Sequence, residues 1–356
     1  MKKGIETPEY KTDEEVLEAA YQKALATETD KIQMEDFVKL YGEEKVAEHQ
    51  KKVREMRAEF DLQDLQSDTV IEARKFGKIL EAILIEQIEL NEWFGAGVNT
   101  QQTTDYDDYC NGIDFLSEFR KEGMRNFLGF AVDATHGVAV IRNKLAKIRK
   151  ELDQGELGQV HYFQSSDTSI MGSQRFIPKI VLALDKKHVL EVAKLWVTGQ
   201  KKALSEHPIR HIFIQEIFTQ LRAQLVYVEG SIANGHTELD QLKDIFSSQL
   251  QFLEQFIPEA ARVPVDRSSD EGLNMIHTAC DTMFVNRQSP RQAKTQEEKE
   301  AMELFLKNME AEKRQKQERV ARVQFLRNLE KRASAGDEEA RSQLREINEV
   351  HLKKVA

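Results

Sequence analysis

Apolar residues recur at helical spacing through most of the chain, and the pattern changes character once, between residues 97 and 184. Thr12-Asp13-Glu14-Glu15 has the order of a capping box, and Val16, Leu17, Ala20, Ala24 and Leu25 follow at helical intervals. Phe37, Leu40, Tyr41, Val46, Val53, Met56 and Phe60 continue a sparse stripe. Residues 12–66 therefore predict two or three charged helices with little apolar surface of their own. Residues 68–94 carry the widest apolar face, through Val70, Ile71, Phe76, Ile79, Leu80, Ile83, Leu84, Ile88 and Trp93. A helix of that kind must lie against a sheet or another helix, and Gly95-Ala96-Gly97 ends it.

Beyond that glycine pair the spacing turns strand-like. Residues 113–119 (IDFLSEF) alternate, whereas 127–135 (FLGFAVDAT) form a nearly continuous apolar run, the pattern of a strand covered on both faces. Lys121-Glu122-Gly123 between them predicts a hairpin. A further strand between residues 97 and 104 has little support. Helical spacing returns over 138–152, followed by short strands at 160–163 and 179–184 and a helix from 187 to 199. This order predicts an α/β domain with a small mixed sheet flanked by helices, extended by helices at both ends. Two amphipathic stretches, 212–228 and 239–256, are separated by the segment from Gly230 to Gly235 and read as an antiparallel pair. The predicted divisions are a charged helical region at 1–66, the α/β domain at 67–200, a helical hairpin at 201–264, and a polar linker with a long charged helix at 265–356. Lys313 and Lys316 interrupt the apolar seam of that last helix, which argues against a coiled coil.

Composition narrows the classes. The 356 residues are 31% charged with a net charge of −10, which excludes a general basic coat for nucleic acid and allows a local basic patch. Cys110 and Cys280 are too few for a disulfide framework or a four-cysteine zinc site. No apolar run approaches the ~20 residues that cross a bilayer, so a cytoplasmic protein with no membrane association is expected. Neither a GxxxxGK[ST] nor a GxGxxG loop is present.

The candidate chemistry lies in carboxylates. Asp114 stands at the start of one expected strand and Asp133 near the end of the next, with Glu81 and Glu86 on the helix before them. Two carboxylates on adjacent strands can hold a hard divalent cation, Mg²⁺ or Mn²⁺, which activates water and neutralises phosphodiester charge. Asp133 ends an apolar run, where a charge needs a partner or a metal. Asp107 and Asp108, in YDDY, read as cap or turn residues of a surface loop. His136 and His161 fall at strand ends, and packing within the sheet is the simpler reading for each.

The arrangement of these residues resembles the PD-(D/E)xK nuclease superfamily, whose core runs helix, three strands, helix, strand. Gly112-Ile113-Asp114 matches the family's first Asp. Asp133-Ala134-Thr135 matches the second motif at its acid and departs from it at its lysine, where this chain has Thr135. The resemblance covers residues 70–165. It implies a restriction-endonuclease-like core, metal ligands at Asp114, Asp133 and Glu81 or Glu86, and Lys144 or Lys147 of the following helix in place of the missing lysine. It also implies a metal-dependent nuclease, or a nuclease-derived protein that binds DNA or RNA. Thr135 and the acidic balance of the chain leave an alternative from another class. That alternative is a non-enzymatic helical interaction protein with an inactive nuclease-like domain, meeting a protein partner through the charged C-terminal helix.

Overall fold

In a computed structural model of the chain, structure is described for residues 12–27, 31–64, 68–121, 124–134, 138–165 and 170–284, and for residues 329, 332, 337 and 343. Of these, 60–64, 68–70, 121, 124–125, 131–134 and 138–139 are described by their backbone alone. The chain divides into a unit of residues 1–60 and 66–289 and a unit of residues 61–65 and 290–356. In the second, Arg332 pairs with Asp337 at 2.6 Å; the charged helix predicted over 291–356, and the protein partner it would meet, lie outside the described residues.

The first unit is α/β. It opens with α1 (Asp13–Thr27), whose capping box forms as the sequence predicts, Glu15 N donating to Thr12 Oγ1 and Thr12 N to Glu15 Oε2. A 3₁₀ turn leads into α2 (Val38–Tyr41), then α3 (Glu43–Asp64) and α4 (Asp68–Leu90). Next come β1 (Val98–Gln102), a π-helical turn (Asp107–Asn111), β2 (Phe115–Lys121) and β3 (Met124–Ala134). After α5 (Val138–Asp153) follow β4 (Gly158–Gln164), β5 (Met171–Ile177) and β6 (Lys179–Leu184). The unit closes with α6 (Lys186–Val197), α7 (Lys201–Ser205), α8 (Ile209–Ala233), α9 (Asp240–Phe256) and α10 (Glu271–Met283).

Four strands form a mixed sheet in the order β1-β2-β3-β6. The first three run antiparallel in sequence, and β6 is parallel to β3, as the intervening α5 requires. β4 and β5 form a separate antiparallel pair. Ile79, Ile83 and Ile88 of α4 are fully buried in the core that includes Phe115 and Phe130. The same core takes Val16 and Ala20 from α1 and Ile217 and Leu221 from α8. The stretches 1–66, 67–200 and 201–264, distinct in composition, thus share one core. A smaller cluster of Ile113, Leu116, Val160, Phe163 and Ile177 joins the main sheet to the β4–β5 pair.

Two strands depart from expectation. β1 is polar (VNTQQ), so its own side chains do not announce it; pairing with β2 and a hydrogen bond from Thr100 N to Glu89 Oε1 at 2.8 Å fix it. β5 was not anticipated, because only Gly172 and Ile177 of its seven residues are buried and no regular alternation results. Its pairing with β4 supplies what its pattern lacks.

β6 is an edge strand, and α8 closes that edge with side chains. Gln220 donates to Val181 O at 2.7 Å and accepts from Val181 N at 2.8 Å, Gln224 donates to Lys179 O at 3.1 Å, and Glu216 accepts from Ala183 N at 3.1 Å. The match is geometric: four residues of helix rise about 6.0 Å, and two residues of strand rise about 6.6 Å. Residues 216, 220 and 224 therefore meet 183, 181 and 179 in register, and the open ladder of an edge strand is satisfied without another strand.

Candidate functional site

The site is assembled around the π-helical turn between β1 and β2. Gly112, at φ +66°, ends that turn in the left-handed conformation that glycine adopts most readily. Asp107 anchors it. Its fully buried carboxylate accepts from His161 N (2.7 Å), Tyr162 N (3.0 Å), Asn111 Nδ2 (2.7 Å) and Thr104 Oγ1 (3.1 Å). Burial pushes its pKa up against the pull of those four donors. Asp107 is thus neither a cap nor a surface-turn residue: it fastens the turn to β4.

Asp108 is also more than a turn residue. Its carboxyl group shares a hydrogen bond with that of Asp114, which stands one residue before β2. The backbone of Asp114 is fixed on both sides, its N–H donating to Phe130 O (2.8 Å) and its carbonyl accepting from Thr103 N (3.1 Å). Glu81 reaches the same place from α4, 9% exposed, with Gln102 Nε2 donating to it at 2.5 Å and Lys78 Nζ at 3.3 Å. Burial raises the pKa of Glu81; Lys78 opposes the rise and Asp114 adds to it. Burial, with Asp114 and Glu81 beside it, drives Asp108 well above the usual carboxylate range, and Lys31 draws it back. Three carboxylates from three different elements therefore bear on one another.

Glu81, and not Glu86, is the acid that α4 contributes here. Five residues turn a helix through about 140°, and Glu86 faces away, accepting from Trp196 Nε1 at 2.9 Å with Lys23 Nζ at 3.9 Å. Asp133 lies in β3 opposite Ala183 of β6; its side chain, together with Thr135 and His136, lies outside the described residues. Lys147 is exposed and donates to Cys110 O at 3.4 Å, while Lys144 is half-buried on α5. Lys78 and Lys31 act on the carboxylates of Glu81 and Asp108. Lys78 was legible as the i−3 neighbour of Glu81; nothing in the sequence marked Lys31. His161 belongs to packing, its ring stacked on Tyr41 at 4.5 Å between centroids.

No family model, no curated protein and no solved structure matches this chain. The chemistry must be read from the geometry itself.

The carboxylates of Glu81, Asp108 and Asp114 are oxygen donors of the kind a hard divalent cation takes, and they bear on one another electrostatically without all lying within 4.8 Å of one another. Beside them opens a cavity of about 430 Å³, whose lining includes the bases Lys31, Arg54, Arg57 and Lys78, the acids Glu35, Asp105 and Asp108, and Tyr109. Asp105 organises the rim, binding Lys31 and Arg57 at 2.6 Å each.

A second cluster, Asp185, His188 and Asp270, brings three ligand-type atoms within 4.8 Å of one another. Those atoms already have work. Asp185 caps α6 through His188 N (2.8 Å), and Asp270 caps α10 through Leu273 N (2.9 Å). Asp270 also accepts from Asp185 N (3.1 Å) and bonds His188 Nδ1 (2.8 Å). The cluster ties two helix N-termini to the end of β6.

Proposed function

We propose that this chain is a metal-dependent nuclease of the PD-(D/E)xK kind, acting on DNA or RNA with Mg²⁺ or Mn²⁺. The observation that carries the reading is that the carboxylates of Glu81, Asp108 and Asp114 bear on one another, Asp114 raising the pKa of both of the others. Groups that repel one another in this way gain most when a cation enters between them. The strand order lends support: helix α4, three antiparallel strands, helix α5, then a strand parallel to the third, with the β4–β5 pair inserted before the last. The core expected from the superfamily resemblance runs in the same order.

In this reading Glu81, Asp108 and Asp114 hold the ion, joined by Asp133 of the second motif. A bound divalent ion supplies a Lewis acid for the phosphoryl oxygen and lowers the pKa of water. Lys78 and Lys31 provide the positive charge that Thr135 does not. They orient the attacking water and offset negative charge developing on the phosphorus oxygens. Glu81 and Asp105 hold the two lysines in place.

The test is cleavage of labelled single- and double-stranded DNA and RNA in Mg²⁺ and in Mn²⁺, alongside calorimetric Mn²⁺ titration. Wild type should cut at least one substrate in an EDTA-sensitive manner, and Asp114→Asn should lose both cleavage and the heat of binding. Absence of cleavage on every substrate sinks the enzymatic reading. An unchanged Mn²⁺ affinity in Asp114→Asn sinks the metal site as well.

A further inference from the structure

The lining of the cavity says what kind of strand the site takes. Resting on the nuclease reading above, we infer that the 430 Å³ cavity binds a single-stranded polynucleotide, one nucleotide deep, with Arg54 meeting its phosphate and Tyr109 meeting its base.

Three observations converge on this. The first is size and shape. The cavity is a concavity between the 31–35 segment, α3 and the π turn, near the lower end of the roughly 300–1,000 Å³ range of ligand pockets. It has room for one nucleotide with its phosphate. A duplex is instead read by an element that enters a groove about 12 Å wide. The second is the set of available charges. Lys31 and Arg57 are paired with Asp105, and Lys78 with Glu81. Arg54 lines the same cavity, is exposed, and pairs with no acid among the described residues. It is the cation whose partner is still to come. In a chain of net charge −10, such a local cation decides where a phosphate settles. The third is an aromatic side chain in the lining. Tyr109 is half-buried at the cavity wall, and its hydroxyl accepts a hydrogen bond from Arg57. A ring so fixed offers a stacking face, and single-strand sites combine such faces with a cationic track. Asp108, the residue before Tyr109, belongs to the carboxylate cluster. A nucleotide stacked on Tyr109 therefore brings its backbone beside the candidate metal position.

The experiment is fluorescence anisotropy on the full chain, with a labelled 12-nucleotide single strand of DNA, the same strand as RNA, and the matching duplex. Ca²⁺ is used as the ion, so that binding is read apart from turnover. Wild type should bind at least one single strand tenfold or more tightly than the duplex. Arg54→Ala should weaken that binding about fivefold and flatten its salt dependence. Tyr109→Leu should weaken it about fivefold with the salt dependence intact. Circular dichroism melts establish that both variants fold. A duplex bound as tightly as the single strand overturns the inference, as does wild-type affinity in both variants. Mn²⁺ uptake without polynucleotide binding also overturns it, and leaves the metal site standing. Single-strand binding that needs Arg54, in a protein that takes up no Mn²⁺, supports the pocket and removes the metal reading instead.

Discussion

Burial first, and then the neighbouring carboxylates of Asp114 and Glu81, raise the pKa of Asp108 in the fold. A carboxyl whose pKa is raised by folding binds its proton more tightly folded than unfolded, and that costs stability as pH rises above the unfolded value near 4. The cost grows until the pH passes the folded pKa. Asp108→Asn should therefore be at least as stable as wild type at pH 7.5 without metal, with the difference shrinking toward pH 5; urea midpoints at the two pH values measure it. Mn²⁺ should raise the melting temperature of wild type more at pH 7.5 than at pH 5, and that of Asp108→Asn little at either. His49 has the opposite sign. Chiefly through burial, its pKa falls to about 4, and its ring lies against Tyr106 at 3.8 Å with Nδ1 bonded to the Tyr162 hydroxyl at 2.7 Å. The unfolded imidazole takes a proton near pH 6.5, so its contribution is intact above that value and is lost as pH falls from 6.5 toward 4. His49→Phe should show a smaller loss of urea stability between pH 7 and pH 5 than wild type; a parallel loss would show that other groups govern that range.

At the level of elements, the contact between α8 and β6 invites the sharpest test. Gln220 satisfies both the N–H and the carbonyl of Val181, and all three groups are buried. Gln220→Leu strands two backbone groups at about 1–3 kcal/mol each, so a loss of about 2–6 kcal/mol is expected in urea unfolding. Glu216 differs although it occupies the same ladder. Burial pushes its pKa well above the ordinary value, so the fold disfavours its charged form. Glu216→Gln retains an oxygen for Ala183 N and removes that burden, and it should be neutral or stabilising at pH 7. A loss as large as that of Gln220→Leu would mean that the charged carboxylate itself is needed. β1 and β5 make the complementary point: their partners hold them as strands, not their own patterns.

On the scale of the whole first unit, the N-terminal region is part of the fold. Val16, Ala20 and Ala24 are buried in the main core, while Phe37 and Val46 form a cluster with Tyr162 of β4. The same region supplies Lys31, Arg54 and Arg57 to the cavity. A chain beginning at residue 67 should therefore lose its cooperative thermal transition as well as its strand binding; a sharp transition in that fragment would show that 67–284 folds without it. Among the described residues no helix is long and apolar enough to cross a membrane, in agreement with the hydropathy of the sequence.

Local pattern determined a good deal of this protein. The apolar face of α4, the runs behind β3 and β6, and the hairpin between β2 and β3 all follow from residues close in sequence, because burial on one face imposes a period that can be read directly. Asp114 was a candidate from its place at the start of a strand, and Glu81 or Glu86 through the resemblance to the nuclease superfamily. The choice between Glu81 and Glu86 was not legible, since it depends on how α4 is rotated against the sheet. The roles of Asp107 and Asp108 were hidden for a related reason. Adjacent acids look alike in sequence, and only the π turn sends one to the backbone of β4 and the other to Asp114. Lys31, some fifty to eighty residues from the carboxylates it faces, could be placed only by the fold. Pattern reports which side of an element is buried, and tertiary structure alone decides what distant residue arrives on the other side.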